Sequence, residues 1–262
     1  MTTYLFIDGA YLRRNYSDCV RPWFGSDGEI DFRQVKGVFG AERAFYYDAL
    51  EDEPRQGESA EDCELRIAND EVFFNKIQEL DGYFVRLGSL GGRRRNRQQK
   101  KVDILLAVEA LDHAFRKNMD RAILLTGDRD FEPLVHSLVQ LGVRVEVAGD
   151  KKTTSRYLRH AADIYRPLSF DDYHNWTIGS LRGQFPADVG KGTRPPDDAN
   201  AMGNGVFGDK KVVGLHLRPD HFYIYIEKFD RDGNDLTVSM DKFWEKLKLY
   251  FDLQYGEIVW KN

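Results

Sequence analysis

Four aspartates stand where a protein of alternating strands and helices could use them chemically. Asp8 directly follows the apolar run 4–7, and Asp128 and Asp130 directly follow the near-continuous apolar run 122–125, in Leu125-Thr126-Gly127-Asp128-Arg129-Asp130-Phe131. Asp103 precedes a set of helix-spaced apolar residues and reads as the acid that opens a helix after a strand at 83–87. Three separated segments thus place carboxylates on one edge of a sheet. Clustered carboxylates repel one another, so a cation has to compensate them. An all-oxygen donor set with no His or Cys favours Mg²⁺ or Mn²⁺. Such a site can lower the pKa of a bound water and clamp a phosphodiester for in-line attack. The competing reading of any one Asp is a helix N-cap, which is a common role. The combination carries the signal. Asp48 follows the apolar run at Phe45 and could face the same edge, and Thr126 could bond a ligand carboxylate. Glu109 falls nearly opposite Asp103 on a helical wheel and is expected outside the site.

The elements that must position these acids can be read from periodicity. Runs at 4–7, 44–47, 83–87 and 122–125, and the alternation Val143, Val145, Val147, read as strands. Between them lie helical spacings: Tyr11, Leu12, Tyr16; Phe32, Val35, Val38, Phe39; 65–80; 102–115; and Leu134, Val135, Leu138, Leu141, closed by Gly142. Strands alternating with helices imply a parallel β-sheet flanked by helices, an α/β fold. In such sheets sites form beyond the carboxyl ends of the strands, where the aspartates stand.

Three segments resemble the NYN domain in its LabA-like branch, part of the PIN-like nuclease superfamily: 101–111 around Asp103, 122–131 around Gly127-Asp128-Arg129-Asp130, and Gly142-Val143-Arg144-Val145-Glu146-Val147. Phe6-Ile7-Asp8-Gly9-Ala10 is similar to the first motif of that family. The resemblance spans about residues 1–170. It implies a metal-dependent ribonuclease whose products carry 5′-phosphate and 3′-hydroxyl ends. Asp8 then matches the first-strand metal ligand, Asp103 the acid of the central helix, and Asp128 and Asp130 the late pair. The family often has Asp-Gly-x-Asn, and Tyr11 stands here in the Asn position. Asn15 lies one helical turn later on nearly the same face and could take over the polar role.

Between Asp81 and Asp103 there is no acidic residue, while Arg86, Arg93, Arg94, Arg95, Arg97, Lys100 and Lys101 fall there, with Gly91 and Gly92 ahead of the cluster. This reads as a basic loop for contacting a phosphate backbone, which gives affinity rather than sequence specificity. The function expected is a Mg²⁺- or Mn²⁺-dependent endoribonuclease that uses a metal-activated water on single-stranded or structured RNA. The alternative is a non-catalytic nucleic-acid-binding or scaffold protein of the same family. A haloacid-dehalogenase type of phosphatase needs a second Asp two residues after the first, and that position is Ala10.

Composition bounds the rest. The chain has 262 residues, 42% hydrophobic and 31% charged, so it can bury a core. With 38 basic and 43 acidic side chains its net charge is −5, which argues against binding nucleic acid through bulk positive charge. No apolar run approaches the roughly 18 residues of a membrane helix. The start lacks the basic and small-residue pattern of a signal peptide, so a cytoplasmic protein without membrane contact is expected. Cys19 and Cys63 form no ligand spacing. Residues 171–211 are rich in Gly and Pro and read as a linker or mobile loop. Residues 212–262 read as a small α+β module, with Ser239 capping a helix that carries Phe243, Trp244, Tyr250 and Phe251. It is too short to bury its aromatics alone, which suggests docking on the main domain, a homodimer or a protein partner.

Overall fold

The apolar runs and helical spacings of the first 168 residues fold into strands separated by one helix or, between the first two strands, by two: β1 (Thr3–Asp8), α1 (Gly9–Phe24), α2 (Phe32–Phe39), β2 (Arg43–Ala49), α3 (Ala60–Gln78), β3 (Tyr83–Gly88), α4 (Arg95–Phe115), β4 (Arg121–Leu125), α5 (Glu132–Gln140), β5 (Arg144–Asp150), α6 (Arg156–Ala161) and β6 (Ile164–Leu168). The structure is a computed structural model and describes residues 1–51, 53–88, 95–179, 188–191, 194–218 and 221–261. Its chain divides into two units, Met1–Ser17 with Asp31–Leu168 and Asp18–Ile30 with Ser169–Asn262.

In the first unit six parallel strands form a sheet in the order β3-β2-β1-β4-β5-β6. All six residues of β1 are buried, as are the last four of β4. Burial on both faces is why these strands read as continuous apolar runs rather than alternations. Phe6, Phe45, Leu106, Leu124, Leu138 and Val147 belong to one core cluster. Phe45 stacks between Phe6 and Phe84, with ring centroids 5.3 and 5.2 Å away. Local signals fix the helix ends. Asp31 accepts from the Arg33 and Gln34 N–H groups, Ser59 accepts from the Asp62 N–H, and α2 stops at Gly40 with φ 60°. The strand order reverses direction between β1 and β4, the point at which sheets of this kind place their sites at the carboxyl ends.

The second unit holds α7 (Phe170–Asn175), β7 (Asp188–Lys191), β8 (Asn200–Phe207), β9 (Lys210–Arg218), β10 (His221–Ile226), β11 (Leu236–Asp241), α8 (Trp244–Gln254) and β12 (Val259–Lys261). Its strands form an antiparallel sheet in the order β12-β8-β9-β10-β11-β7. Two sequence expectations change here. The segment 171–211 contains α7, β7, β8 and the start of β9 rather than only a linker. One glycine that contributes to the linker signal, Gly205, is a strand position approached closely by a neighbour, and Gly214 in the following module is another. A Cβ on Gly205 would lie 2.7 Å from Ile258 Cγ2, and one on Gly214 would lie 2.7 Å from Trp244 Cη2. Ser239 lies inside β11, and α8 begins five residues later, after Phe243. The core of this unit includes Trp23, Phe170, Ile224, Val238, Tyr250 and Phe251. Trp23 comes from the last turns of α1, and its ring lies 5.3 Å from that of Phe170. Trp23 and Phe170, from outside 212–262, therefore share one core with its aromatics.

Candidate active site at the ends of the central strands

Asp8 is the last residue of β1, only 8% exposed. Its Oδ1 accepts the Tyr11 N–H at 3.0 Å, which caps the first turn of α1, and its Oδ2 accepts the Thr126 hydroxyl at 3.0 Å. Thr126 is 1% exposed, the first residue past β4, so this bond ties the two strands together at the point where the sheet order reverses. Burial pushes the Asp8 carboxyl up to about 6. The bonds from Tyr11 and Thr126 pull it down, and the charges of Asp48 and then Asp128 push it up further.

Asp48, near the end of β2, is 3% exposed but differently matched. Its Oδ2 accepts the Tyr46 hydroxyl at 2.9 Å and pairs with Arg13 Nη2 at 2.8 Å, and its Oδ1 accepts the Ala49 N–H at 2.8 Å. Burial raises its carboxyl, and Arg13 is the largest of the opposing influences. Close backbone approach brings Asp48 beside the first turn of α1. A Cβ on Gly9 would lie 2.5 Å from Tyr46 Oη and 2.6 Å from Asp48 Oδ2. Arg13 carries no sequence signal of its own, because its pairing with Asp48 joins positions 35 residues apart.

Asp128 and Asp130 are exposed. Asp128 Oδ1 accepts the Asp130 N–H at 2.9 Å and caps the short 3₁₀ turn Arg129–Phe131. The Asp128 N–H in turn donates to Thr126 Oγ1 at 3.3 Å, so Thr126 connects the buried and the exposed carboxylate. Asn15 has other partners: its amide donates to the Tyr11 carbonyl at 2.8 Å, and its Oδ1 accepts the Thr153 hydroxyl at 3.0 Å. Tyr11, in the position where the family often has Asn, accepts the Asp150 N–H through its hydroxyl at 2.8 Å. Its ring fills the space over Gly127, where a Cβ would lie 2.6 Å from Tyr11 Cε2.

Asp103 does not open its helix. Helix α4 starts at Arg95, and Asp103 is more than two turns in, partly exposed. Its neighbour Val102 packs over Gly88 at the end of β3, which puts this part of α4 at the carboxyl edge on the β2–β3 side. The basic segment also differs from the expected loop. Arg95, Arg97, Lys100 and Lys101 belong to α4, with Lys101 exposed, while Arg93 and Arg94 lie outside the described residues. Arg86 forks onto Glu109 at 2.9 to 3.0 Å, and Tyr47 donates to the same carboxylate at 2.9 Å.

Among the described residues no three His, Cys, Asp or Glu side chains are grouped closely enough to hold a metal ion, so Asp8, Asp103, Asp128 and Asp130 do not form a cage. The donor chemistry nevertheless fits a hard cation. Asp8 is a buried carboxylate that pairs with no cation among the described residues, and the charges of Asp48 and Asp128 act on it. Mg²⁺ in particular is commonly held by one or two carboxylates, with waters and substrate phosphates completing its shell.

No curated protein matches the chain significantly. Among solved structures it is similar to a protein of unknown function from Vibrio parahaemolyticus, at 22% identity and a TM-score of 0.45, over 65% of this chain and 94% of that one. No helix among the described residues is long and apolar enough to cross a membrane. Residues 2–169, which contain the whole parallel sheet and every acid described above, match the NYN domain, and the chain belongs to that family within the PIN-like nuclease superfamily.

Proposed function

We propose that the first unit is a metal-dependent endoribonuclease that hydrolyses RNA phosphodiester bonds at the carboxyl ends of β1 and β4. One observation carries this reading: Asp8 is a buried carboxylate with no cationic partner among the described residues, under the charges of Asp48 and Asp128 where the strand order reverses. Asp8 and Asp128 would hold Mg²⁺ or Mn²⁺, with Asp103 and Asp130 nearby on the same edge. Such an ion, when bound, neutralises charge on a phosphoryl oxygen and lowers the pKa of a water. The chain's own groups do the rest. Thr126 and the Tyr11 N–H orient both Asp8 oxygens and favour its charged form. Arg13 offsets the charge of Asp48, so the second buried acid adds less repulsion at Asp8. The basic first turns of α4, ending in Lys101, supply positive charge for the sugar–phosphate backbone.

A second reading, a non-catalytic RNA-binding or scaffold protein, is favoured by the capping bond of Asp128 and by the lack of a three-carboxylate group among the described residues. A cleavage assay separates the two. The purified chain is incubated with RNA and with single-stranded DNA in EDTA, Mg²⁺ or Mn²⁺, beside Asp8→Asn. Metal-dependent cleavage that is lost in Asp8→Asn supports the nuclease. RNA binding without cleavage in any metal refutes it in favour of the scaffold.

A further inference from the structure

Helices α5 and α6 flank an open cleft of about 430 Å³ in the first unit, lined by Glu132, His136, Arg156, Tyr157, His160 and Ala161. It adjoins the acidic edge. The Ser155 N–H, just ahead of α6, donates to the Gly127 carbonyl at 3.0 Å, and the guanidinium of Arg129, next to Asp128, covers the Tyr157 ring at 4.1 Å from its centroid. Tyr157 remains 56% exposed despite that cover. A large aromatic ring held open to solvent and backed by a guanidinium is a stacking platform rather than a core residue.

The charges around it are one-sided. The lining acid, Glu132, is already approached by Arg129 at 3.6 Å and by His136 at 3.8 Å. Arg156 is exposed and pairs with no carboxylate among the described residues, and the same holds for Lys151 and Lys152 in the loop between β5 and α6. Unpaired cations beside an open ring fit a ligand that alternates anionic groups with flat rings. A nucleic-acid strand has that pattern, and only an unstacked strand can offer a base to Tyr157.

We propose that this cleft is a single-strand subsite, in which one unpaired base stacks on Tyr157 and the flanking phosphates contact Arg156 and Lys152. The subsite holds the strand beside Asp128 and so sets which phosphodiester lies over the acidic edge. It rests on the reading that RNA is the substrate and adds the single-stranded character of that RNA at one position.

The test uses the full chain and a fluorescent 12-nucleotide RNA without secondary structure, titrated in EDTA so that binding is read without cleavage. Tyr157→Ala should weaken binding about tenfold or more, while Tyr157→Phe stays near wild type. Arg156→Gln should weaken binding and reduce the dependence of log affinity on log salt by about one. In Mg²⁺ or Mn²⁺, Tyr157→Ala should raise KM with kcat largely kept. Equal binding by wild type and Tyr157→Ala overturns the subsite, as does equal loss in Tyr157→Ala and Tyr157→Phe. Tyr157-dependent binding of a blunt RNA duplex at least as tight as that of the single strand overturns its single-strand character. No binding of the RNA by wild type overturns the subsite together with the RNA reading. Wild-type cleavage with unchanged binding in Tyr157→Ala removes the subsite alone, and Tyr157-dependent binding without metal-dependent cleavage keeps the subsite and removes the nuclease.

Discussion

Replacing Asp8 by Asn tests the electrostatics of the site without needing a substrate. In the folded chain the Asp8 carboxyl titrates at about 6, against an ordinary value of 3.8. At ~1.4 kcal/mol per pH unit, ionising it in place costs the folded state roughly 3 kcal/mol. The raised value fixes the sign. Between about pH 4 and 6 the folded state binds more protons than the unfolded chain, so stability falls as pH rises through that window and levels off above it. Asn removes this term. It also loses one of two acceptor positions, because its amide nitrogen only donates and so cannot accept from the Tyr11 N–H or the Thr126 hydroxyl, at a cost of about 1 kcal/mol. Without metal the variant should therefore be about 2 kcal/mol more stable than wild type near pH 7.5 and slightly less stable at pH 4. Denaturant unfolding in EDTA at half-unit pH steps gives the difference curve. Adding Mg²⁺ at about a hundred times its dissociation constant should then stabilise wild type by about 2.7 kcal/mol and leave the variant unmoved. A difference curve that stays flat from pH 4 to 7.5 would refute the reasoning, since it would mean that burial does not hold Asp8 against ionisation.

Three further outcomes are expected. Asp128→Asn should leave folding stability level, since Asn caps the 3₁₀ turn about as well as Asp, and should cut cleavage at least about a hundredfold; wild-type rates at low Mg²⁺ and at saturating Mn²⁺ would take Asp128 out of the site. Gly149→Ala puts a Cβ 2.9 Å from both the Thr126 carbonyl and Tyr11 Oη and should cost about 1–3 kcal/mol, read as a lower melting temperature; an unchanged melt would mean that this corner of the site yields freely. Arg13→Met leaves Asp48 buried without its cation and should destabilise the chain by about 2 kcal/mol, below the loss for a fully buried pair because the guanidinium is partly solvated; adding Asp48→Asn should recover most of the loss, and strictly additive single effects would show that the pair is not coupled.

The parallel sheet was legible because its strands are buried on both faces and carry little else. Runs such as Ala122-Ile123-Leu124-Leu125 have no polar alternation to confuse with another fold, and the helices between them keep their spacing. The strands within 171–211 hid for the opposite reason. Gly205 stands in β8 with Ile258 close against it, and that partner is 53 residues away in sequence. A glycine chosen for close approach reads locally like a glycine chosen for freedom. The cap of α8 failed similarly: Ser239 is a good cap by type, but its place in β11 is set by pairing with Tyr223.

The acids of the site separate along the same line. Asp8, Thr126 and Asp128 were legible because each sits at or just past the end of a strand, which is a local property. Arg13 was not, since nothing near it announces that its partner is Asp48 of the neighbouring strand. That missing partner changes what the acids mean. Asp8 and Asp48 stand near adjacent strand ends and are about equally buried, yet one has a guanidinium, a phenol and a backbone N–H, and the other has two neutral donors and no cation among the described residues. An acid kept only to cap α1 would gain little from its charge in that position, because Asn would satisfy most of the same donors without the ionisation penalty. On the proposed reading, the charge on Asp8 beyond its capping role serves a cation that arrives from outside the chain at the end of β1. The exposed Asp128, tied to Asp8 through Thr126, is in place to share it.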